Sequence, residues 1–310
     1  MTMKPRHFLS LDDVSQSELQ GLLRLAARCK RQPTHGRAQL VGKMLALVFQ
    51  KPSVRTRVSF EVATRQLGGS AIYLGPDDIQ LGEREPVKDV ARSLSRYVQG
   101  VVVRTFQHRD AEEFARFASV PVINGLSDLT HPCQALSDLL TMQERFGRLK
   151  GLTVSYIGDG NNVLHALAQG ASRLGVHLRV ATPNGYRPDR ALWNGVSRQA
   201  KQSGASLTWS SDPHDVVAGA DVVYTDVWAS MGQEHQRAVR RKAFRQFQIN
   251  ARLLQAAPRQ CVIMHCLPAH RGEEITEEML EGPRSIVLDQ AENRLHVQKA
   301  LLLFLFGASR

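Results

Sequence analysis

Met44-Leu45-Ala46-Leu47-Val48-Phe49-Gln50-Lys51-Pro52-Ser53-Val54-Arg55-Thr56-Arg57 decides how this chain is read. Its first six residues form a short, continuous apolar run, the pattern of a strand buried on both faces. From Val58 onward, Phe60, Ala63 and Leu67 recur at helical spacing until Gly68-Gly69 ends the pattern. Between the two lies Ser53, a good helix N-cap, with Pro52 just outside it. The first backbone N–H groups of a helix have no partner within it, and the helix dipole adds partial positive charge there. Two arginines and two hydroxyls at the same end make a site for a dianion, most simply a phosphate. The plain alternative is a capped helix whose arginines make surface ion pairs. One arginine alone would favour that alternative; Ser-x-Arg-Thr-Arg at a strand-to-helix turn favours the anion.

Outward from this turn, strand and helix patterns alternate. Strands are expected at Ser70–Leu74, Gly100–Val103, Val120–Asn124, Leu152–Ile157, Val176–Ala181, Ala205–Trp209, Asp221–Thr225, Cys261–His265 and Ser285–Leu288. Helices are expected at Ser15–Lys30, where Ser15 and Glu18 have capping-box spacing, and at Pro86–Tyr97, Asp110–Ala118 and Cys133–Phe146, with a terminal helix from Asp289 to Phe306. Such alternation predicts an α/β protein with parallel sheets covered on both faces, and 310 residues suggest two domains. Ligands of open parallel sheets bind outside the carboxyl ends of the strands.

A hydrophobic content of 43% and a charged content of 22% are those of an ordinary globular protein. No apolar run approaches a membrane span, and no signal-peptide core follows the N-terminus, so a cytoplasmic location is expected. Cys29, Cys133, Cys261 and Cys266 contain no Cys-x-x-Cys pair, which argues against a zinc ribbon or a disulfide framework. The net charge of +11 suits an anionic ligand or nonspecific nucleic-acid binding, but the basic residues are scattered. The densest run, Arg237 to Arg245, reads as a helix with a solvated face. No specific nucleic-acid partner is expected.

Gly158-Asp159-Gly160-Asn161-Asn162-Val163 follows a strand and opens a helix, yet it lacks the third glycine of a dinucleotide fingerprint. The next strand ends in Ala181-Thr182-Pro183 where an acidic ribose ligand would be needed. Asn162 at that helix start remains able to donate a hydrogen bond to a carboxylate. Gly36 to Met44 has the wrong spacing for a phosphate loop. Arg104, His131 and Gln134 each lie at or just after a strand end or loop of the first half. Singly they read as a surface ion pair, a structural histidine and a helix-surface amide. Together, near the Ser53 helix end, they suit an oxyanion developing on a carbonyl next to a phosphate. Asp226 with Ser230-Met231-Gly232 suits a loop that binds an amine and closes; the alternative is a plain surface loop. His265-Cys266-Leu267-Pro268-Ala269-His270 ends a strand in a turn. A zinc site from His131, Cys133, His265, Cys266 and His270 lacks regular spacing, and no feature identifies a base for a nucleophilic thiol.

Taken in order, Ser53-Val54-Arg55-Thr56-Arg57, Val103-Arg104-Thr105-Phe106, His131-Pro132-Cys133-Gln134, Gly158-Asp159-Gly160-Asn161-Asn162, Asp226 with Ser230-Met231-Gly232, and His265-Cys266-Leu267-Pro268 make the whole chain resemble the aspartate/ornithine carbamoyltransferase family. The Ser-Met-Gly loop and the His-Cys-Leu-Pro turn resemble its ornithine branch; the aspartate branch has a lysine-bearing loop where Gln80 stands. Val54 departs from the threonine frequent in the family, losing a hydroxyl but not the backbone N–H.

The resemblance implies a carbamoyl-phosphate domain at 1–147, with the helix 289–310 packing back on it, and an ornithine domain at 148–288. It implies helices crossing between the domains, and a homotrimer, or a multiple of trimers, with sites at subunit interfaces. Carbamoyl phosphate would bind first and L-ornithine second, without cofactor or metal, in arginine biosynthesis. Ser53, Val54, Arg55 and Thr56 would cradle phosphate, joined by Gln80 from a neighbouring subunit. Arg104, His131, Gln134 and Arg294 would contact the carbamoyl group. Asn162, Asp226, Ser230 and Met231 would hold ornithine. Cys266 and the Leu267 backbone would face the reacting amine and carbonyl, with Cys266, Arg104 and His131 catalytic. The alternatives are another acceptor, such as putrescine or N-acetylornithine, or a non-catalytic phosphate- or nucleic-acid-binding relative.

Overall fold

The computed structural model describes residues 5–230 and 232–307. It contains two compact units, one built from residues up to Leu140 together with those from Glu292 onward, the other from Thr141–Ala291.

In the first unit, strands β1 (Met44–Phe49), β2 (Ser70–Leu74), β3 (Gly100–Arg104) and β4 (Val122–Leu126) pair in parallel in the order β2-β1-β3-β4. Helices α1 (Gln16–Arg31), α2 (Val54–Gln66), α3 (Pro76–Ile79), α4 (Val87–Tyr97) and α5 (His108–Phe117) alternate with them. α6 (Pro132–Phe146) follows β4, and the division between units falls inside it. The apolar run at the start of the decisive stretch is buried from Leu45 to Phe49, as a doubly covered strand requires. One layer of core joins Ala46, Val48, Val101 and Val103 to Phe114 and Val90 of the helices. Full burial of a side chain of this size contributes about 2 to 3 kcal/mol. Ser15 and Glu18 form the reciprocal capping box at the start of α1.

In the second unit, β5 (Thr153–Ile157), β6 (His177–Ala181), β7 (Leu207–Ser210), β8 (Val222–Thr225) and β9 (Val262–His265) pair in parallel in the order β7-β6-β5-β8-β9. They alternate with α7 (Asn162–Leu174), α8 (Arg190–Ser203), α9 (His214–Val217), α10 (Arg237–Phe244) and α11 (Glu277–Glu281). Tyr156 and Tyr224, side by side on β5 and β8, stack with centroids 5.7 Å apart. The terminal helix α12 (Val287–Gly307) begins in this unit and ends in the first.

The strand expected at Ser285–Leu288 is not formed. Ser285 makes one bridge to Ile263, with Ile263 N–H donating to the Arg284 carbonyl at 2.8 Å and Ile286 N–H to the Ile263 carbonyl at 3.0 Å. α12 then starts at Val287, so helix formation takes the apolar residues that a longer strand would have used.

Each sheet reverses its strand order once. In the first, β2 lies on one side of β1 and β3 on the other; in the second, β6 and β8 flank β5. Crevices at the carboxyl ends of such strand pairs are where open α/β sheets take ligands. The residues after β1 and β3, and those after β5 and β8, are therefore the places to look.

Candidate active site

The segment after β1 delivers the helix end that opened the reading. Ser53 is extended (φ −161°) and caps α2, its Oγ accepting from the Thr56 N–H at 3.3 Å and donating to Thr56 Oγ1 at 3.1 Å. Thr56 is buried, Arg55 half-buried, and Val54 is 77% exposed. Arg57 takes the plain role: it pairs with Glu61 at 2.9 Å and lies 3.9 Å over the Tyr73 ring, on the surface. The two arginines of the motif thus separate, one toward the helix end and one away from it.

Arg104 ends β3 opposite Phe49 of β1 and is buried. Arg294, from α12, donates to Gln134 Oε1 at 2.7 Å and to Thr56 Oγ1 at 3.1 Å, while Gln134 donates in turn to Asp138 at 2.9 Å. His131 is buried just before α6, and its Nδ1 has no hydrogen-bond partner among the described residues. Burial, with Arg294, Arg104 and Arg55 nearby, holds this imidazole well below its usual pKa, so it is neutral at physiological pH. Cys133 is turned the other way, donating to the Asn124 carbonyl at 3.5 Å, and burial pushes its thiol up to about 12. That thiol is inert as a nucleophile or a metal ligand.

Ser53, Thr56, Gln134 and Arg294 are thus joined in one hydrogen-bonded group, with the neutral His131 near Arg294 and the Arg55 and Arg104 charges near His131. The group offers guanidinium, amide, hydroxyl and backbone donors, the chemistry of an anion carrying a polarisable carbonyl. Gln80 stands exposed in the loop between α3 and α4, in the left-handed conformation (φ 40°). Two further residues were not singled out from sequence. Gln50 bridges that loop to the end of β3, donating to the Leu81 carbonyl at 2.8 Å and accepting from the Phe106 N–H at 2.7 Å. Lys51 is buried with its ammonium 4.6 Å from the Phe106 ring centroid. Their position beside the serine motif was the available signal.

The second unit offers the opposite charge. Asp226, directly after β8, is 5% exposed. Its carboxylate accepts from Asn161 Nδ2 at 2.7 Å and from the Cys266 thiol at 2.8 Å. Asn161 rather than Asn162 makes this link, and Asn161 also caps α7 through the Val163 and Leu164 N–H groups. Asn162 is the first residue of α7 and is buried. Ser230 is half-buried in a turn closed by Gln233, whose side chain accepts from the Ser230 N–H at 3.1 Å. Met231 lies outside the described residues. Leu267 adopts a left-handed backbone (φ 57°), its N–H donating to His265 Nδ1 at 2.8 Å, while His265 Nε2 meets Glu274 at 3.1 Å.

Asp226, His265 and Cys266 bring candidate ligand atoms within 4.8 Å of one another. Both His265 nitrogens, however, are committed to hydrogen bonds, and the thiol to Asp226, which does not match an open set of metal lone pairs. The glycine turn after β5 is closed against a dinucleotide. A Cβ on Gly160 would lie 2.3 Å from the Arg187–Pro188 peptide, so this segment covers the backbone that a pyrophosphate would approach.

Burial pushes Asp159 up to about 6, opposed by its ion pair with Arg240 and reinforced by Asp226. A carboxyl raised in the fold binds its proton more tightly there than in the unfolded chain. Its contribution to stability therefore declines as pH rises from about 4 to about 6, by roughly 1 to 3 kcal/mol. Asp159→Asn is expected to flatten that segment of the stability–pH curve, as read by denaturant melts.

Comparison with known proteins agrees with this geometry. The profile described as aspartate/ornithine carbamoyltransferase, carbamoyl-P binding domain, matches residues 6–144, and the Asp/Orn binding domain of the same family matches residues 150–305. An ornithine carbamoyltransferase of Anoxybacillus flavithermus is 50% identical over 305 residues, covering 98% of this chain and 97% of that one. An anabolic ornithine carbamoyltransferase of Pyrococcus furiosus is 49% identical over 309 residues, covering 99% and 98%. The solved structure of ornithine carbamoyltransferase from Pyrococcus furiosus matches with a TM-score of 0.95 at 49% identity, covering 100% of both chains. The chain belongs to the aspartate/ornithine carbamoyltransferase family.

Proposed function

We propose that this chain transfers the carbamoyl group of carbamoyl phosphate to the side-chain amine of L-ornithine, giving L-citrulline and phosphate. The observation that carries the ornithine reading is the buried Asp226 carboxylate beside Cys266 at the strand reversal of the second sheet. It is an anion suited to the α-ammonium of an amino acid, whereas the first sheet's reversal is lined by cationic and neutral donors.

In this reading Ser53, Val54, Arg55 and Thr56 hold the phosphate at the start of α2, through backbone N–H groups, hydroxyls and the Arg55 guanidinium. Arg104, His131, Gln134 and Arg294 face the carbamoyl group. Neutral His131 donates a hydrogen bond without adding charge. Asn162, Asp226, Ser230 and Met231 hold ornithine by its amino-acid end. The side-chain amine must lose a proton to attack, at a cost of about 5 kcal/mol at neutral pH for a lysine-like group. Its nitrogen then forms a bond to the carbamoyl carbon, and Arg104, His131 and the Cys266–Leu267 turn stabilise the oxyanion. The bond from carbon to the phosphate oxygen breaks, and phosphate leaves with the electron pair and takes the second proton from the nitrogen that attacked, the first having gone to solvent when the ammonium was deprotonated. Holding both substrates in place supplies much of the rate.

The protein acts in arginine biosynthesis, in line with the relative named anabolic. Exposed Val54 and Val58, one turn apart on α2, support a homotrimer in which a second copy covers that side of the helix. No helix among the described residues is long and apolar enough to cross a membrane, which fits a cytoplasmic enzyme. Incubation with carbamoyl phosphate and a panel of L-ornithine, putrescine and N-acetylornithine, read as ureido product and phosphate release, tests the assignment. Citrulline from ornithine, with little product from the other two, is expected. Product from putrescine alone, or no turnover with any amine, overturns it.

A further inference from the structure

Most of the basic run at 237–245 has the solvated face that its sequence suggests: Arg237, Arg241, Lys242 and Arg245 are exposed. Arg240 does not. It is 7% exposed and points, with Phe244 one turn later, into the second unit. Its Nη1 donates both to Asp159 Oδ2 and to the Trp228 carbonyl, each at 2.8 Å, and its Nε donates to Gln236 Oε1 at 3.1 Å. Its guanidinium carbon lies 5.0 Å from the Tyr186 ring centroid, and the Tyr186 carbonyl accepts from the Gly160 N–H at 2.9 Å.

One guanidinium therefore joins three segments. Asp159 belongs to the turn that carries Asn161 and Asn162. Trp228 lies in the loop between Asp226 and Ser230, and its ring stacks on Phe244 at 5.8 Å. Tyr186 belongs to the loop after β6. The joined segments include both that carry the amino-acid-binding residues, and Arg240 is buried beneath them with no role of its own in the transfer chemistry. Burying this charge is costly unless its donors are satisfied, and satisfying them requires the two segments at a fixed separation.

We propose that Arg240 is the positioning residue of the acceptor half-site, fixing the Asp226–Ser230 loop against the Asp159–Asn162 turn at the separation that an α-amino acid spans. The proposal rests on the reading of Asp226, Ser230 and Asn162 as the amino-acid contacts. A lysine here keeps the charge, but its ammonium ends one bond short of the Nη1 position that holds both Asp159 and Trp228, and it has no second nitrogen for Gln236. Loss of the Trp228 anchor frees the loop, so amino-acid affinity falls while the first unit, which holds no part of this network, is untouched.

Initial rates with each substrate varied, for the wild type, Arg240→Lys and Arg241→Lys, test this, with thermal melts to confirm folding. In Arg240→Lys the KM for ornithine is expected to rise at least tenfold, with the KM for carbamoyl phosphate within twofold of wild type. Arg241→Lys, which alters an exposed neighbour, is expected to leave all constants within twofold. The double variant Asp159→Asn with Arg240→Gln, which removes both charges together, is measured alongside and is expected to show the same one-sided rise. Calorimetric titration of L-norvaline, which is ornithine without the reactive amine, in the presence of carbamoyl phosphate reads the same site without turnover. Weaker norvaline binding in folded Arg240→Lys supports the proposal even if the wild type carbamoylates another amine. An unchanged ornithine KM and norvaline affinity in a folded variant, or equal losses for both substrates, overturns it while leaving the acceptor reading intact. A wild type that neither binds norvaline nor forms citrulline overturns both.

Discussion

Arg55→Ala is expected to abolish saturation by carbamoyl phosphate, lowering kcat/KM for that substrate roughly 1,000-fold while leaving the protein folded. The reason lies in what the site keeps and what it loses. The helix start keeps its backbone N–H groups, and Ser53 keeps its bonds to Thr56, because neither depends on the arginine. Arg57 cannot substitute, since Glu61 and the Tyr73 ring already hold it on the surface. The loss is then two charge-assisted hydrogen bonds to a dianion, about 2 kcal/mol each, and about 1.4 kcal/mol is a factor of ten. Arg55 is only half-buried, so truncating it empties little packed volume. Calorimetry with carbamoyl phosphate alone, beside a thermal melt, checks both halves of the expectation. A folded variant with normal affinity would remove Arg55 from the cradle.

Asp226→Asn is the corresponding change in the second unit, and its effect should fall on the other substrate. The carboxylate now accepts from two donors, Asn161 Nδ2 and the Cys266 thiol. An asparagine has one acceptor oxygen, so one of these donors must meet an NH2 group, and the turn and the thiol lose their common anchor. The negative charge offered to an α-ammonium vanishes as well. Removing one partner of a buried charged contact costs about 2 to 5 kcal/mol, so kcat/KM for ornithine is expected to fall roughly 30- to 4,000-fold. Affinity for carbamoyl phosphate should stay near wild type. Parallel titrations with each substrate read this split, and a matching loss for both would assign Asp226 a purely structural role.

The parts of the molecule legible in sequence are those set by neighbours along the chain. The apolar run 44–49, the capping box at Ser15 and Glu18, and the serine cap of α2 are local signals, and the strands and helices they predict are present. Where a local signal served two outcomes, sequence misjudged it. Ser285–Leu288 is apolar enough for a strand and was claimed by a helix. What could not be read were bonds between distant residues: Asn161 to Asp226 across 65 positions, and Arg294 to Thr56 across 238. Arg240 is the clearest case. Its four basic neighbours at 237, 241, 242 and 245 are solvated, and nothing in the run marks the one that turns inward to Asp159, 81 positions away.

The first unit is assembled from both ends of the described chain, with the second inserted between them. During synthesis, then, Ser53, Arg104, His131 and Gln134 are all made long before Arg294. The last helix must return across 160 positions to reach Gln134 and 238 to reach Thr56. Contacts of such separation form late, because the loop-closure entropy must be met before they contribute. The inserted unit, with a continuous chain and its own sheet, has no such wait. A nascent chain halted before α12 would present the start of α2 without Arg294, so the anion site proposed there is complete only in the finished protein.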